Sequence, residues 1–479
     1  MRPPAPRPWL RAVTLVALAN AVFLLLGLWL AGQPREPLRQ RIRKAFADGD
    51  LIENDWPWLD RRRGFDQYND CSILQMITND DDHALAAAVG PLIYNKNRGE
   101  TDKCETLRRI VSEGPRVAPW LSFRYTRYWH GQDPVTAALL RVFDLGRARA
   151  VLEGVLYASL LLLPLAAGTR RRELLAVAAA IALTGVLFWA VPYFGQSFTH
   201  APGDILVVLG IAGLLFWHER LAAPSTLVPY SALYGAGAVY LEFLTGQLPT
   251  AAGLLLGCAY LIGRLRPAPD DRPRAAWGLA LTALGGFVMG ALLTIAIKQA
   301  LAVAVVGPDA FRSFAEYLGR YVNPSPGASL RHFGETWSSP GDPLLVSTPK
   351  AIYALLHEGY VLAYGSRAGA LALYAASVLA WSVAVWLALR RRAPEARNDL
   401  LALAAASGIW LIWACVFQTH TTIHKWWMVR MLLVPLSFGW GAVAWLIVRA
   451  AVATPPGIAG TVSGAAYPGL GAGASLADG

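Results

Sequence analysis

The chain consists largely of apolar blocks of about 20 residues, the length that an α-helix needs to cross a bilayer. A chain of 479 residues with 55% hydrophobic and 16% charged residues could not bury that much apolar surface as a soluble protein. The sequence therefore predicts an all-α polytopic membrane protein with about ten transmembrane helices. The predicted spans lie near 10–32, 151–168, 173–192, 204–218, 226–245, 248–263, 276–297, 367–389, 399–418 and 428–448.

Arginines in the short connections between spans predict the orientation of the chain. Turns 193–203 and 245–248 hold no Lys or Arg, and turn 419–427 holds only Lys425. Because cytoplasmic loops carry the excess of basic residues, both termini are expected in the cytoplasm. The net charge of +11 then reflects topology and not nucleic-acid binding. The basic turns hold Arg170, Arg171 and Arg172; Arg220; Arg264, Arg266, Arg272 and Arg274; and Arg390, Arg391, Arg392 and Arg397.

This topology divides the chain into six parts. Residues 1–32 form the cytoplasmic N-terminus and a retained first helix, and residues 33–150 a large first extracytoplasmic loop domain. Spans two to seven occupy 151–297, a second extracytoplasmic loop 298–366, and spans eight to ten 367–450. The tail 451–479, mostly Gly, Ala, Ser and Pro, is expected to be disordered.

Two of the four cysteines, Cys71 and Cys104, lie in the first predicted outer loop. An oxidising compartment permits a disulfide there, which would stabilise the fold by about 3–4 kcal/mol in the chain-entropy model. The alternative is two separate thiols.

Carboxylates in the same loop are the candidate catalytic groups. Asp66 and Asp70 are four residues apart and would share one face of a helix. A carboxylate there could deprotonate an acceptor hydroxyl as a general base. The alternative is that they cap a helix over Ser72–Thr78. The acidic run Asp80–His83 either binds a hard divalent cation or is a solvated loop.

Cationic and polar side chains near the predicted outer ends of the spans are candidate phosphate or sugar ligands, because ionisable groups are costly in lipid. Arg is suited to bidentate recognition of phosphate, and aromatic residues to the membrane interface. The alternative roles are interfacial anchors and structural ion pairs, including one between His200 and Asp204. His420 and His424 have metal-ligand spacing, but the zincin motif needs Glu where Thr421 stands. The candidate ligands are Arg124, Arg127, His130, His200, Glu242, His424, Lys425 and Arg430.

Several segments resemble a family of multi-pass bacterial membrane proteins, mostly uncharacterised, that occur in surface-polysaccharide contexts. The architecture is also similar to that of the GT-C superfamily of integral membrane glycosyltransferases. The resemblance spans residues 60 to 440 and rests on Asp66-x-x-x-Asp70, Arg127–Gly131, Glu242–Gly246 with Pro249 and Thr250, and His424–Arg430.

The resemblance implies a polyprenyl-phosphate-linked sugar donor and a glycan or glycolipid acceptor. It also implies that the protein lies among the lipids of a bacterial plasma membrane. It also implies Asp66 or Asp70 as the base, and Arg and Lys side chains as phosphate binders. The chain has no Walker, G-x-S-x-G or dinucleotide-binding motif, so neither ATP nor NAD is expected as a cofactor. A divalent cation is left open. The alternatives are a non-catalytic component of polysaccharide polymerisation or export, and an outer-face acyltransferase using His200 or His357.

Overall fold

The computed structural model describes residues 8–55, 60–64, 66–80, 83–95, 103–114, 121–168, 171–242, 246–266, 272–322, 344–391 and 394–453. Within these ranges the chain is helical apart from short connections and one two-stranded sheet. The part of the predicted tail beyond Ala453, and Asp81 and Asp82 of the acidic run, lie outside the described residues.

The polar region between the long helices α1 (Pro8–Ala31) and α7 (Leu145–Ala167) folds as short helices and one antiparallel pair of strands. Strands β1 and β2 are antiparallel, with Leu92 opposite Arg124. After helix α1 (Pro8–Ala31), the elements are α2 (Glu36–Asp48), α3 (Gln67–Thr78), α4 (Ala84–Val89), β1 (Leu92–Asn95), α5 (Lys103–Glu113), β2 (Leu121–Arg124) and α6 (Gln132–Val142).

The rest of the chain forms a helical bundle, with 3-10 turns at Glu358–Val361 and Val429–Leu432. Its first helices are α7 (Leu145–Ala167), α8 (Arg172–Phe188), α9 (Val191–Phe194), α10 (Ala201–Phe216), α11 (His218–Leu221), α12 (Pro224–Leu241), α13 (Gln247–Arg264) and α14 (Arg272–Val306). There follow α15 (Asp309–Val322), α16 (Leu344–His357), α17 (Arg367–Arg390), α18 (Pro394–Ser407), α19 (Ile409–Val416), α20 (Gln418–Ile423), α21 (Lys425–Met428) and α22 (Leu433–Ala453).

Six helical segments of the described chain are long and apolar enough to cross a membrane, which makes this an all-α membrane protein. The other four predicted spans correspond to α8, α10, α12 and α13, which have 17, 16, 18 and 18 residues. At 1.5 Å per residue these helices are about 24–27 Å long. All residues of α13 are buried, so this helix packs among the longer ones. The six segments are Pro8–Ala31, Leu145–Ala167, Pro273–Val306, Arg367–Arg390, Pro394–Val416 and Lys425–Val452.

Helix α14 continues through the predicted boundary at residue 298, where polar residues indicate a loop. Lys298 and Gln299 are buried, and their side chains hydrogen-bond to main-chain carbonyls of the polar region. Lys298 Nζ donates to the Thr126 carbonyl at 3.0 Å, and Gln299 Nε2 to that of Arg127 at 3.2 Å. These acceptors satisfy the polar groups, so the helix does not have to end there.

The polar region and the bundle have separate hydrophobic cores that meet just before α10. Phe198 and Ala201 belong to the core of the polar region, although the chain continues from them into the bundle helix α10. Cys71 and Cys104, both fully buried in that core, form the expected disulfide and join α3 to α5. The segment around residues 197–201 thus connects the two parts.

A buried polar cluster joins α13, α18 and α22. Asp399 of α18 accepts a hydrogen bond from Arg264 Nε at 2.6 Å and one from Trp445 Nε1 at 2.9 Å. Tyr260 donates a third, at 3.1 Å. Since Arg264 and Asp399 are each 2% exposed, this is a buried ion pair held by further hydrogen bonds.

Candidate functional site

Asp66 is the N-cap residue of helix α3. Its carboxylate accepts hydrogen bonds from the Asn69 main-chain N–H at 3.0 Å and from Asn69 Nδ2 at 2.7 Å. This is the capping role that the sequence offers as an alternative, because Asp satisfies free N–H groups at a helix start. The residue also contacts the bundle, however: His200 Nε2 lies 3.0 Å from Asp66 Oδ2.

Asp70 lies one turn further along α3 and is enclosed by a different set of partners. It pairs with Arg149 of α7 at 3.2 Å and accepts hydrogen bonds from Ser197 Oγ at 2.8 Å and Thr199 Oγ1 at 3.3 Å. Because Asp70 is 1% exposed and contacts three residues of the bundle or its connections, it stabilises the packing of the polar region against the bundle. Of the two predicted carboxylates, Asp66 is therefore the better candidate for chemistry.

His200 is the N-cap residue of α10 and bridges Asp66 to Arg430. Arg430 Nη2 lies 3.1 Å from His200 Nδ1. A guanidinium can only donate, so Nδ1 accepts this hydrogen bond and Nε2 carries the proton that His200 donates to Asp66. The imidazole is therefore neutral, in a single tautomer, with both nitrogens engaged.

Arg430, in the 3-10 turn before α22, is held by Asp204 of α10. Its Nη1 lies 2.8 Å and 2.7 Å from the two Asp204 carboxylate oxygens. Gln247, at the start of α13, donates to the same carboxylate at 3.1 Å. His200 and Asp204 therefore do not pair with each other as the spacing predicts; Arg430 contacts both. We call Asp66, His200, Arg430 and Asp204 the junction cluster.

Aromatic rings enclose the junction cluster. The Arg430 guanidinium lies 4.7 Å from the centre of the Phe194 ring, and the His200 ring is 5.8 Å from that of Trp427. The side chains of the cluster are at most 1% exposed. The cluster is thus closed to solvent in this structure, and a substrate would reach it only after an opening between the polar region and the bundle.

Burial raises the pKa of the Asp66 carboxyl to about 7, although the Asn69 hydrogen bonds and the Arg430 charge act to lower it. A carboxyl group with such a pKa exchanges a proton near neutral pH, as a general base must.

The same pKa predicts a pH dependence of stability. Folded Asp66 keeps its proton up to about pH 7, whereas an unfolded Asp loses it near pH 4. The stabilisation from this proton is therefore complete in acid and is lost as the pH rises through about 7. We expect Asp66→Asn, which does not titrate, to flatten the fall in unfolding temperature between about pH 5 and about pH 8. Asp144→Asn, at the partly exposed N-cap of α7, is the control. If the unfolding temperature fell equally steeply with pH in Asp66→Asn and in the wild type, the raised pKa of Asp66 would be contradicted.

The predicted ligands of the segment 124–130 lie in other environments. Arg124 donates from Nη1 to the Gly90 carbonyl at 3.1 Å, and His130 Nε2 to the Tyr125 carbonyl at 2.5 Å. The Arg127 guanidinium lies 3.5 Å from the centre of the Tyr317 ring. These contacts involve residues outside the junction cluster, and a shared phosphate site with Asp66 stays a prediction.

Glu242 and Lys425 are likewise engaged elsewhere. The Glu242 carboxylate accepts three main-chain N–H groups at the start of α13, from Gly246, Gln247 and Leu248, at 2.7–3.0 Å. Lys425 pairs with Glu358 at 3.1 Å.

His424 lies next to the junction cluster without joining it. Its ring stacks on Trp427 with centroids 4.6 Å apart, and Trp427 in turn faces His200. The His420 ring is 4.5 Å from that of His424. In the described part of the chain, no group of three or more His, Cys, Asp or Glu side chains is placed to hold a metal ion.

Sequence reasoning missed two partners in this region. Arg149 neutralises Asp70, and Gln247 hydrogen-bonds to both Asp204 Oδ1 and the His200 carbonyl. The sequence signal that could have identified Arg149 is its position as a charged residue at the edge of an apolar block. No sequence pattern distinguishes Gln247 from other polar residues at helix starts.

Comparison of the chain with protein-family models, with curated protein sequences and with solved structures finds no match.

Proposed function

We propose that the protein is a GT-C-type membrane glycosyltransferase. It would move a sugar from a polyprenyl-phosphate donor to a glycan or glycolipid at the outer face of a bacterial plasma membrane. The observation that carries the proposal is the junction cluster, in which Asp66 is held against His200 and Arg430 where the polar region meets the bundle.

In the proposed reaction, an acceptor hydroxyl attacks the anomeric carbon of the donor sugar. The new C–O bond forms as the bond to the lipid phosphate breaks, and the hydroxyl proton passes to Asp66. His200 orients Asp66 through its Nε2–H. The negative charge on the departing phosphate needs a cation, and Arg430 is the cation of the cluster whose charge acts on Asp66. Because Asp66 and Arg430 are each 1% exposed, substrate entry requires the cluster to open.

The proposed topology has ten membrane helices with both termini in the cytoplasm. The four helices of 16–18 residues would complete the count of spans. Support comes from the arginines at alternate connections, which follow the positive-inside rule. The polar region and residues 307–366 would then lie on the outer face.

The test is turnover of a panel of radiolabelled polyprenyl-phosphate sugars by the purified protein in lipid nanodiscs. We expect release of polyprenyl phosphate from at least one donor, and a rate about 10²–10⁴-fold lower for Asp66→Asn, the range for loss of a general base. Asp144→Asn is expected to keep the wild-type rate. Turnover of no donor would overturn the transferase proposal, and a wild-type rate for Asp66→Asn would exclude Asp66 as the base.

The acyltransferase alternative is less well supported by the geometry. A histidine base needs a free ring nitrogen to take a proton, but both nitrogens of His200 are engaged. The other candidate, His357, lies outside the junction cluster, with Nδ1 3.3 Å from Glu358 Oε1. A non-catalytic component would tolerate Asp66→Asn, so the same variant separates that alternative from the transferase.

A further inference from the structure

A second polar site, which the proposed chemistry does not use, lies where the end of α1 meets the polar region. It is a partly open crevice of about 30 Å³, between α1, the ends of α3 and α12, and the start of α6. That is room for one or two water-sized groups. The crevice thus fits the edge of a ligand and not a whole buried ligand.

Two buried oxygen acceptors line this crevice. Asp133, in the first turn of α6, and Asn79, which follows α3, are each 3% exposed. Within the described residues, Asp133 Oδ1 and Asn79 Oδ1 accept no hydrogen bond. The Asn79 amide is oriented by a hydrogen bond from its Nδ2 to the Leu92 carbonyl at 2.7 Å. Buried oxygen acceptors are normally hydrogen-bonded, so these two favour a ligand that donates hydrogen bonds.

Arg35 provides the cationic side of the crevice. Its Nη1 donates to the Ile77 carbonyl at 3.1 Å, and its Nη2 to the Ala31 carbonyl at 3.4 Å. The guanidinium is therefore partly used by the main chain. A phosphate group in the crevice would also place an oxygen against Asn79 Oδ1, which can only accept a hydrogen bond. This arrangement favours an uncharged, hydroxyl-bearing ligand over a phosphate.

Aromatic rings form the wall beside these polar groups. Tyr240 stacks on Phe23 at 3.8 Å, and the Trp129 ring lies 6.0 Å from that of Phe23. The wall is fixed, because the Gly131 N–H donates to the Tyr240 carbonyl at 2.9 Å and a Cβ at Gly131 would lie 2.5 Å from that oxygen. Aromatic rings beside hydrogen-bonding groups present an apolar body next to a polar edge, which is the character of a sugar ring.

We propose that this crevice binds the edge of a sugar, whose hydroxyl groups donate to Asp133 and Asn79 beside the rings of Trp129 and Tyr240. This inference rests on the proposed transferase function, because that function identifies the sugar as part of a donor or acceptor substrate. Burial raises the pKa of Asp133 well above its usual range, against the charge of Arg35. The neutral acid can both donate and accept a hydrogen bond, as a sugar hydroxyl does.

The test is saturation-transfer NMR of methyl glycosides of glucose, galactose, mannose and N-acetylglucosamine with the full-length protein in nanodiscs. We expect at least one glycoside to bind, and Asp133→Leu to weaken that binding about tenfold, the loss of one buried hydrogen bond. Ala31→Leu, which fills the crevice without touching its polar groups, is expected to weaken it as well. Ala21→Leu, on the exposed face of α1, is the matched control.

The inference would be overturned if the wild type bound no glycoside, or if Asp133→Leu and Ala31→Leu both bound glycosides as tightly as the wild type. Should Asp133→Leu fail to fold, Ala31→Leu decides alone. Glycoside binding does not depend on turnover, so the two proposals can fail separately. Donor turnover without glycoside binding would leave the transferase proposal standing, and glycoside binding without donor turnover would leave the crevice assignment standing.

Discussion

Replacing Arg430 by methionine is expected to lower the free energy of unfolding by about 3–5 kcal/mol, the cost of breaking a buried ion pair by removing one partner. Arg430 is 1% exposed and contacts both Asp204 oxygens and His200. Without it, Asp204 is left buried without its cation. Since whole proteins are stable by only about 5–15 kcal/mol, the loss should be visible in detergent-induced unfolding.

Two further variants make this prediction specific. Arg390→Met removes an exposed guanidinium at the end of α17 and should change stability little. The double variant Arg430→Met with Asp204→Leu should recover part of the loss, because it removes both charges of the pair. A double variant as unstable as the sum of its single changes would show that the pair is not coupled.

Removing the disulfide with Cys71→Ser and Cys104→Ser is expected to cost about 3–4 kcal/mol. The bond closes a loop of 33 residues between α3 and α5, so its loss enlarges the set of unfolded conformations. The effect should be concentrated in the polar region, where hydrogen exchange would become faster in α3 and α5. Since Asp66 caps α3, its carboxylate should also be held less firmly in the junction cluster.

Cys415→Ser, at an exposed free cysteine, is the control for the disulfide variant. Treatment of the wild type with a reductant should reproduce the effect on α3 and α5. Unchanged exchange in the double-serine variant would mean that the polar region is held by packing alone.

Much of the helical architecture can be predicted from local hydropathy. The first apolar block, predicted near 10–32, is α1 (Pro8–Ala31), and the predicted span 367–389 is α17 (Arg367–Arg390). The end of α14 could not be predicted in this way. The partners that allow Lys298 to remain helical and buried lie about 170 residues away, at Thr126, and further still, at Val89.

The junction cluster could be predicted only in part, for the same reason. Asp66, His200 and Arg430 are identifiable as polar residues beside apolar blocks, but 134 residues separate the first two and 230 the last two. Nothing in the local sequence indicates that Asp204 neutralises Arg430. The sequence also does not indicate that the Glu242 carboxylate accepts main-chain N–H groups at the start of α13, and its predicted role in substrate binding stays a prediction.

The ion pair between Arg264 and Asp399 has a consequence for biogenesis. Asp399 lies in a segment long and apolar enough to span the bilayer. One of its cations, Arg264, is 135 residues earlier in the chain, and a second, Arg449, is 50 residues later at 3.4 Å. A lone carboxylate within a membrane helix is costly. When α18 is made, only Arg264 of α13 is already present to neutralise Asp399, which makes the order of synthesis part of how this chain assembles.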